Sequence, residues 1–206
     1  MPRYDTIEVT IRPLRMLDVE AAAGVCARGM RDNPNHIRAY GPNPVYRLHC
    51  LELNFLSSIA GAVREGSYLG AFHGEQLVGV CGMNPPGTCR QTLRDRLRFW
   101  KRLFLRHPVP VALRVIRWFG IWRRYDPPQP HWHLGPVAVD ATLQGAGIGS
   151  ALLTEFCRLM DEQHALSYLE TDKPENVRFY EHYGFRTVAE TQVIGTRNWF
   201  MLRDAR

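Results

Sequence analysis

One stretch constrains this chain more than any other: Leu134 to Leu153, a short β-branched run, three alternating glycines and then a helix-periodic segment. Val137, Ala138 and Val139 have the apolar character of a buried strand. Gly145, Gly147 and Gly149 follow in a turn, where a missing Cβ lets backbone N–H groups converge. Ala151, Leu152, Phe156, Leu159 and Met160 then recur at helical spacing. A helix entered this way aims unpaired N–H groups and partial positive charge at its approach, which favours a phosphate. The unit reads as a pyrophosphate cradle in an α/β chain.

Three nucleotide motifs compete for this turn. The P-loop requires Lys-Ser/Thr after its last glycine, and Ser150-Ala151 stands there instead. The dinucleotide fingerprint fits Gly145, Gly147 and Ser150, with Glu170 placed for a ribose contact. It lacks a second mononucleotide-binding half on either side. The third pattern is Gln144-x-x-Gly147-x-Gly149 entered from a strand, followed downstream by Asn176-Val-Arg-Phe-Tyr180-Glu-His-Tyr-Gly184-Phe185. Together these two ordered motifs resemble the GNAT superfamily of acyl-CoA-dependent N-acyltransferases. The resemblance is sharp over Leu134–Phe185 and extends to element order elsewhere.

The resemblance implies an α/β (α+β) fold: a mixed, mostly antiparallel seven-stranded sheet flanked by helices, one domain over residues 1–206. Strands 134–139 and 167–171 are expected as parallel neighbours, because helix 147–163 makes the crossover, and they should part near the site. The resemblance assigns Val137, Ala138 and Val139 to the pantetheine amides of acetyl-CoA. It assigns Gln144, Gly145, Ala146, Gly147, Ile148, Gly149 and Ser150 to its pyrophosphate. Asn176, Phe179 and Tyr180 fall along the pantetheine arm. Tyr180 matches the superfamily's proton donor for the leaving thiolate, with Tyr183 a competing phenol. For the base, His131 and His133 share strand parity with Gly135, Val137 and Val139, while Glu170 lies on the neighbouring strand. His133 ranks first because imidazole titrates nearest neutrality, and water or a desolvated amine remain alternatives. The implied activity is transfer of an acetyl group from acetyl-CoA to a primary amine of a small molecule, by direct attack in a ternary complex. The alternative is a non-catalytic CoA-binding or docking module.

Composition sets the outer bounds. The chain has 206 residues, enough for one ordinary domain, and 45% hydrophobic content supports a proper core. No apolar run reaches membrane-spanning length, and the N-terminus carries no signal-peptide apolar region, so a cytoplasmic location is expected. Five scattered cysteines (26, 50, 81, 89 and 157), never in Cys-x-x-Cys, argue against a disulfide framework or a metal site. The net charge of +6 is concentrated: residues 90–124 hold eleven Lys/Arg against Asp95, leaving 15 basic and 19 acidic residues elsewhere.

Taken in order, Ile7, Val9 and Ile11 alternate as a half-buried strand ended by Pro13. Asp18 is placed to cap a helix reaching Met30. Asn33–Pro44, with His36 and Tyr40, reads as a loop of the kind that walls an acceptor pocket in the superfamily. A helix covers Val45–Arg64 and stops at Gly66. A hairpin, Tyr68–Phe72 and Gln76–Cys81, turns at His73-Gly74-Glu75. Residues 88–126 are an insertion, predicted as a helical hairpin. Its expected inner stripes are Leu93, Leu97, Trp100 and Phe104, then Ala112, Val115, Ile116, Phe119 and Trp122, separated by His107–Pro110. Its outer faces are basic. With the aromatics turned inward and no nucleic-acid-binding motif, nucleic acid is not expected as a partner, and a membrane surface is an open but less favoured alternative. A cap over the acceptor is favoured, its arginines suiting an amine that also carries a carboxylate or phosphate. A monomer or homodimer is expected. Pro174 opens the helix of Tyr180, and strands Thr187–Ile194 and Thr196–Leu202 follow, turning at Gly195.

Overall fold

The computed structural model describes residues 7–64, 67–88 and 92–206. Gly66 and Cys89 lie outside the described residues. Among the described residues seven strands form one sheet: β1 (Thr10–Pro13), β2 (Tyr68–His73), β3 (Gln76–Asn84), β4 (Trp132–Val139), β5 (Ser167–Thr171), β6 (Arg186–Val193) and β7 (Thr196–Arg203). Their order is β1-β2-β3-β4-β5-β7-β6. Every neighbouring pair is antiparallel except β4 and β5, which run parallel across a helical crossover. The fold expected from the motifs is therefore the fold observed.

Among the described residues seven helices accompany the sheet: α1 (Val19–Met30), α2 (Pro34–Tyr40), α3 (Pro44–Val63), α4 (Leu93–Arg106), α5 (Val109–Tyr125), α6 (Ile148–Glu162) and α7 (Pro174–His182). Side-chain alternation along the strands divides the core between two faces. Leu69, Cys81, Leu134, Leu169 and Met201 pack with Leu152, Leu153, Phe156 and Met160 of α6. Tyr68, Phe72 and Val80 point the other way, onto α1 and α3. Beside them Tyr168 and Phe200 pack with Ala39 of α2 and with Val111, Ala112, Val115 and Trp118 of α5. Cys26, Cys50, Cys81 and Cys157 are free, buried thiols, and burial pushes those of Cys26 and Cys81 far up. No helix among the described residues is long and apolar enough to cross a membrane.

Four local expectations are corrected. First, β1 starts at Thr10, not Ile7, because the Ile7 N–H leaves the sheet and donates to the Ala146 carbonyl at 3.3 Å. Second, Asp18 gives α1 no side-chain cap. Its carboxylate instead takes the Arg15 N–H at 2.7 Å and the Arg12 guanidinium at 2.8 and 3.1 Å, fixing a 3-10 turn over Met16–Asp18. Third, the expected loop at 33–44 contains α2. Pro34 starts that helix at its first position, where no N–H is needed, and Gly41 ends it at φ 95°. The fourth concerns the insertion, which is the predicted helical hairpin but rotated on α4. Phe99 and Leu103 face inward, with Phe99 edge-on to Phe119 at 5.6 Å. Leu93, Leu97 and Phe104 stay exposed and Trp100 is half-buried. Trp118 takes the buried place in α5 expected of Phe119, which is partly exposed.

Candidate active site

The site begins with what β4 and β5 do not do. They pair only at Trp132↔Ser167 and His133↔Tyr168, and the ladder goes no further although both strands continue. A bulge assists on the other edge of β4. Its register with β3 slips between Cys81↔Val137 and Met83↔Leu134. A Cβ on Gly82 would meet the Gly135 carbonyl oxygen at 2.4 Å, so only glycine lets β3 sit against that bulge. The sheet opens at its parallel pair, leaving backbone groups of Val137–Val139 unclaimed by β5.

A cleft of about 400 Å³ lies along this opening. Val137, Ala138 and Val139 form one wall, the turn and first residues of α6 its floor, and Asn176, Phe179 and Tyr180 of α7 the opposite side. The turn works through two glycines: Gly145 at φ 89° and Gly147 at φ 82°, conformations that L side chains rarely adopt. Gly147 is the N-cap of α6 and brings no capping side chain, so the first N–H groups of the helix remain open to an anion. Gly149 is already helical, and an added Cβ there would make only ordinary contacts with Phe179 and Val139 at 3.7 Å. Gln144 lines the cleft and its amide nitrogen lies 3.4 Å from the Gly29 and Val139 carbonyls, tying the turn to α1 and β4.

Of the residues expected to hold the cosubstrate, Ala146 alone is absent from the lining. It is buried, with its carbonyl engaged by Ile7 and its N–H by Leu143. Gly29, Met30, Asn33, Leu143 and Lys173 line the cleft without having been singled out in the sequence. Gly29 carried a readable signal. Glycine inside a helix costs about 1 kcal/mol against alanine, and here a Cβ would lie 2.5 Å from the Val139 carbonyl oxygen. Glycine brings α1 against β4 at the mouth of the cleft.

The two candidate phenols separate. Tyr183 donates its hydroxyl to the Ser150 carbonyl at 3.2 Å. Tyr180 is buried on the cleft wall, and burial, then the neighbouring Cys81 and Asp172, push its phenol well above the ordinary range. Asp172 is itself buried, which pushes its carboxyl up. It accepts the Asn35 N–H at 2.7 Å. From Asn35 a polar chain continues: its amide donates to Asn198 at 2.7 Å, and the Trp122 indole donates to the same Asn198 oxygen at 2.9 Å. These bonds fasten the insertion to β7 and to the start of α2, and nothing in local sequence pattern marks Asn35 and Asn198.

His133 and Glu170 do meet. His133 Nε2 and Glu170 Oε2 are 2.7 Å apart, with the carboxylate almost fully buried. They line a second cavity of about 290 Å³ with Phe119, Trp122 and Arg123 of α5 and with Asp126. It lies on the opposite face of the sheet from Tyr180, which packs with Leu169 and Phe185 on the α6 side. The two cavities flank the parted strands. His131 precedes β4 and is held elsewhere: Nδ1 donates to the Gln129 carbonyl at 2.8 Å and Nε2 lies 3.2 Å from Asp126. That pairing anchors the chain's return from the insertion. A third cavity, about 530 Å³, is lined by His36 and Tyr40 of α2, Leu51 and Phe55 of α3, and Phe99, Leu103, Trp118 and Phe119 of the insertion. Phe119 borders both cavities on this face. Among the described residues no cluster of three His, Cys, Asp or Glu is placed to hold a metal ion.

Comparison with known proteins agrees with this fold. The family model described as the acetyltransferase (GNAT) family matches residues 34–185. The chain belongs to that family and is an acyltransferase. Solved structures repeat the fold over nearly the whole chain. The histone acetyltransferase HPA2 and related acetyltransferase of Corynebacterium glutamicum superposes with a TM-score of 0.71 at 21% identity, covering 96% of this chain and 97% of that one. The mosquito protein arylalkylamine N-acetyltransferase like 5b gives 0.68 at 13% identity over 96% and 100%. The PaiA N-acetyltransferase of Thermoplasma acidophilum, in complex with coenzyme A, gives 0.62 at 13% identity over 96% and 99%.

Proposed function

We propose that the chain acts as one domain that transfers the acetyl group of acetyl-CoA to the primary amine of a small molecule. The observation that carries this reading is the open seam between β4 and β5, with an uncapped helix N-terminus at one end and the Tyr180 phenol on its wall. The residues fit the cosubstrate. Val137–Val139 offer backbone groups along an extended arm, and the N–H groups after Gly147 face where a pyrophosphate belongs. When bound, acetyl-CoA supplies an activated acyl carbon and a thiolate leaving group.

The chain's own groups account for the protons. Glu170, as a carboxylate, accepts only, so His133 donates from Nε2, and the His133–Glu170 pair takes the proton that the attacking amine gives up. The Glu170 charge then stabilises the imidazolium. Tyr180 supplies a proton to the departing sulfur, and its raised pKa keeps that proton in place through neutral and alkaline pH. Asp126 and Glu170 favour an ammonium entering from the insertion side, and Arg123 beside them favours an acceptor that also carries an anionic group. Phe119 and Trp122 suit an apolar or aromatic body between the two.

Calorimetry on Gly147→Glu tests the reading. Gly147→Ala serves as the control, because both variants force a side chain into the left-handed region while only one adds charge. CoA affinity should fall at least about tenfold more for the glutamate, since like charges about 4 Å apart oppose each other by several kcal/mol even when partly screened. Equal affinities in the two folded variants would remove the pyrophosphate from this turn, and the reading with it.

A further inference from the structure

The insertion leaves one feature that acyl transfer does not use. On α4, Leu93, Leu97 and Phe104 are 65, 53 and 45% exposed, and they share one side of the helix with half-buried Trp100. The stripe runs for about 16 Å at the 1.5 Å rise of a helix. It is not the face that packs on the protein, which belongs to Phe99 and Leu103. Basic side chains border it. Arg96 lies on one side, its guanidinium over the Trp100 ring at 5.3 Å, and Arg94 and Lys101 lie on the other. In all, α4 carries six basic residues against Asp95.

Charge and apolarity together select the occupant. A second copy would set one six-fold basic helix against another, so the stripe is badly suited to self-association. A nucleic acid answers the charge but offers phosphates where the helix presents leucine and phenylalanine. An anionic bilayer answers both: acyl chains receive the apolar stripe and headgroups meet the flanking arginines. The geometry points to α4 as an interfacial helix that docks this enzyme on the surface of an anionic lipid bilayer. The helix does not span the bilayer; it lies in the interface, with the body of the domain on the aqueous side.

The test uses the whole chain and sucrose-loaded vesicles, either phosphatidylcholine alone or phosphatidylcholine mixed with phosphatidylglycerol. The protein should sediment with the mixed vesicles and not with the neutral ones. The Leu97→Asp/Phe104→Asp variant should partition at least about tenfold more weakly, because interfacial binding sums apolar burial and headgroup attraction. Arg94→Gln/Lys101→Gln should weaken it as well. Melting temperature and CoA affinity should stay at wild-type values in both variants, since all four side chains project outside the cleft. Vesicle binding equal to wild type in the Leu97→Asp/Phe104→Asp variant overturns the proposal, as does absence of binding to anionic vesicles. Tighter binding to duplex DNA than to the mixed vesicles would assign the face to nucleic acid instead. A wild-type dimer that becomes monomeric in Leu97→Asp/Phe104→Asp would assign it to a second copy.

Discussion

His36 should make this protein acid-sensitive as the pH falls from about 6.5 towards 4. The imidazole is 7% exposed, edge-on to Trp118 at 5.1 Å and near Tyr40. Its Nδ1 donates to the Met30 carbonyl at 2.9 Å, which is compatible with the neutral ring. Burial lowers its pKa from 6.5 to about 4, against the raising effect of that hydrogen bond, and the charges of Arg47 and Lys173 lower it further. The sign follows directly. Below pH 6.5 the unfolded chain binds a proton that the folded chain refuses until about pH 4. Stability is therefore complete above pH 6.5 and is lost as the pH falls through the interval. Between pH 7 and pH 4.5 the linkage amounts to about 2 to 3 kcal/mol, a large share of an ordinary domain's stability. His107, lowered mainly by burial, adds in the same direction. Asp18 and Asp32, both held down to about 2 by arginine partners, lose their contribution only below about pH 4.

The perturbation is His36→Gln, whose amide keeps a donor for Met30 but does not titrate. Urea unfolding of both proteins at pH 7, 5.5 and 4.5 gives the comparison. The substitution has its own pH-independent cost, which cancels in the differences across pH. Wild type should lose about 2 kcal/mol more than His36→Gln between pH 7 and 4.5. Parallel pH profiles would refute the reasoning, because they would mean that His36 is protonated in the folded state or that the site admits water. The same burial removes His36 from consideration as the base in transfer, although it lines the cavity of about 530 Å³.

Two further outcomes are expected. Tyr180→Phe should reduce turnover by roughly 10²–10⁴-fold with CoA affinity nearly unchanged; wild-type turnover would pass the proton to another donor, although Tyr183 is already engaged with Ser150. Gly29→Ala should cost about 1–3 kcal/mol, the penalty of overpacking, and weaken CoA binding, because the new Cβ displaces either α1 or the Val139 carbonyl; unchanged melting and affinity would show that α1 shifts freely at that point.

The parts of this molecule that were legible are those where a short segment fixes its own geometry. Gly145 and Gly147 must be glycine because the turn takes φ near +90°, and that requirement is visible without any partner. Tyr180 was singled out because the Asn176–Phe185 motif resembles that of the superfamily, and it does stand on the cleft wall. Strand parity alone misplaces His133: it puts the imidazole on one face with Val137 and Val139, but the register slip in β4 resets the alternation, so Val137 and Val139 pack towards α6 while His133 turns to Glu170 on the other face. What stayed hidden depends on distant partners. Asn35 and Asn198 make sense only against each other and against Trp122 and Asp172, across separations that no local pattern encodes. Gly29 is explained by a carbonyl on another element, and Ala146 by an N-terminal residue that crosses over the turn.

The insertion shows where pattern reading fails and why the failure is informative. On α4 two apolar stripes adjoin, one through Leu93, Leu97, Trp100 and Phe104 and one through Phe99 and Leu103. Periodicity favours the longer stripe for the core. The fold chooses the shorter one, because α4 meets the protein through α5, where Phe119 receives Phe99 and Leu103 joins the cluster of Val111 and Val115. The longer stripe is then surplus to packing. Had it been inward, the exposed face of the hairpin would be polar and basic, and its arginines would need no explanation beyond solvation. With it outward, the hairpin carries two different surfaces. Through α5, Phe119, Trp122 and Arg123 line the cavity of His133 and Glu170, the proposed acceptor side. Through α4, apolar and basic side chains face away from the chemistry. Substitutions in the first set should alter acceptor selectivity and those in the second only where the enzyme resides.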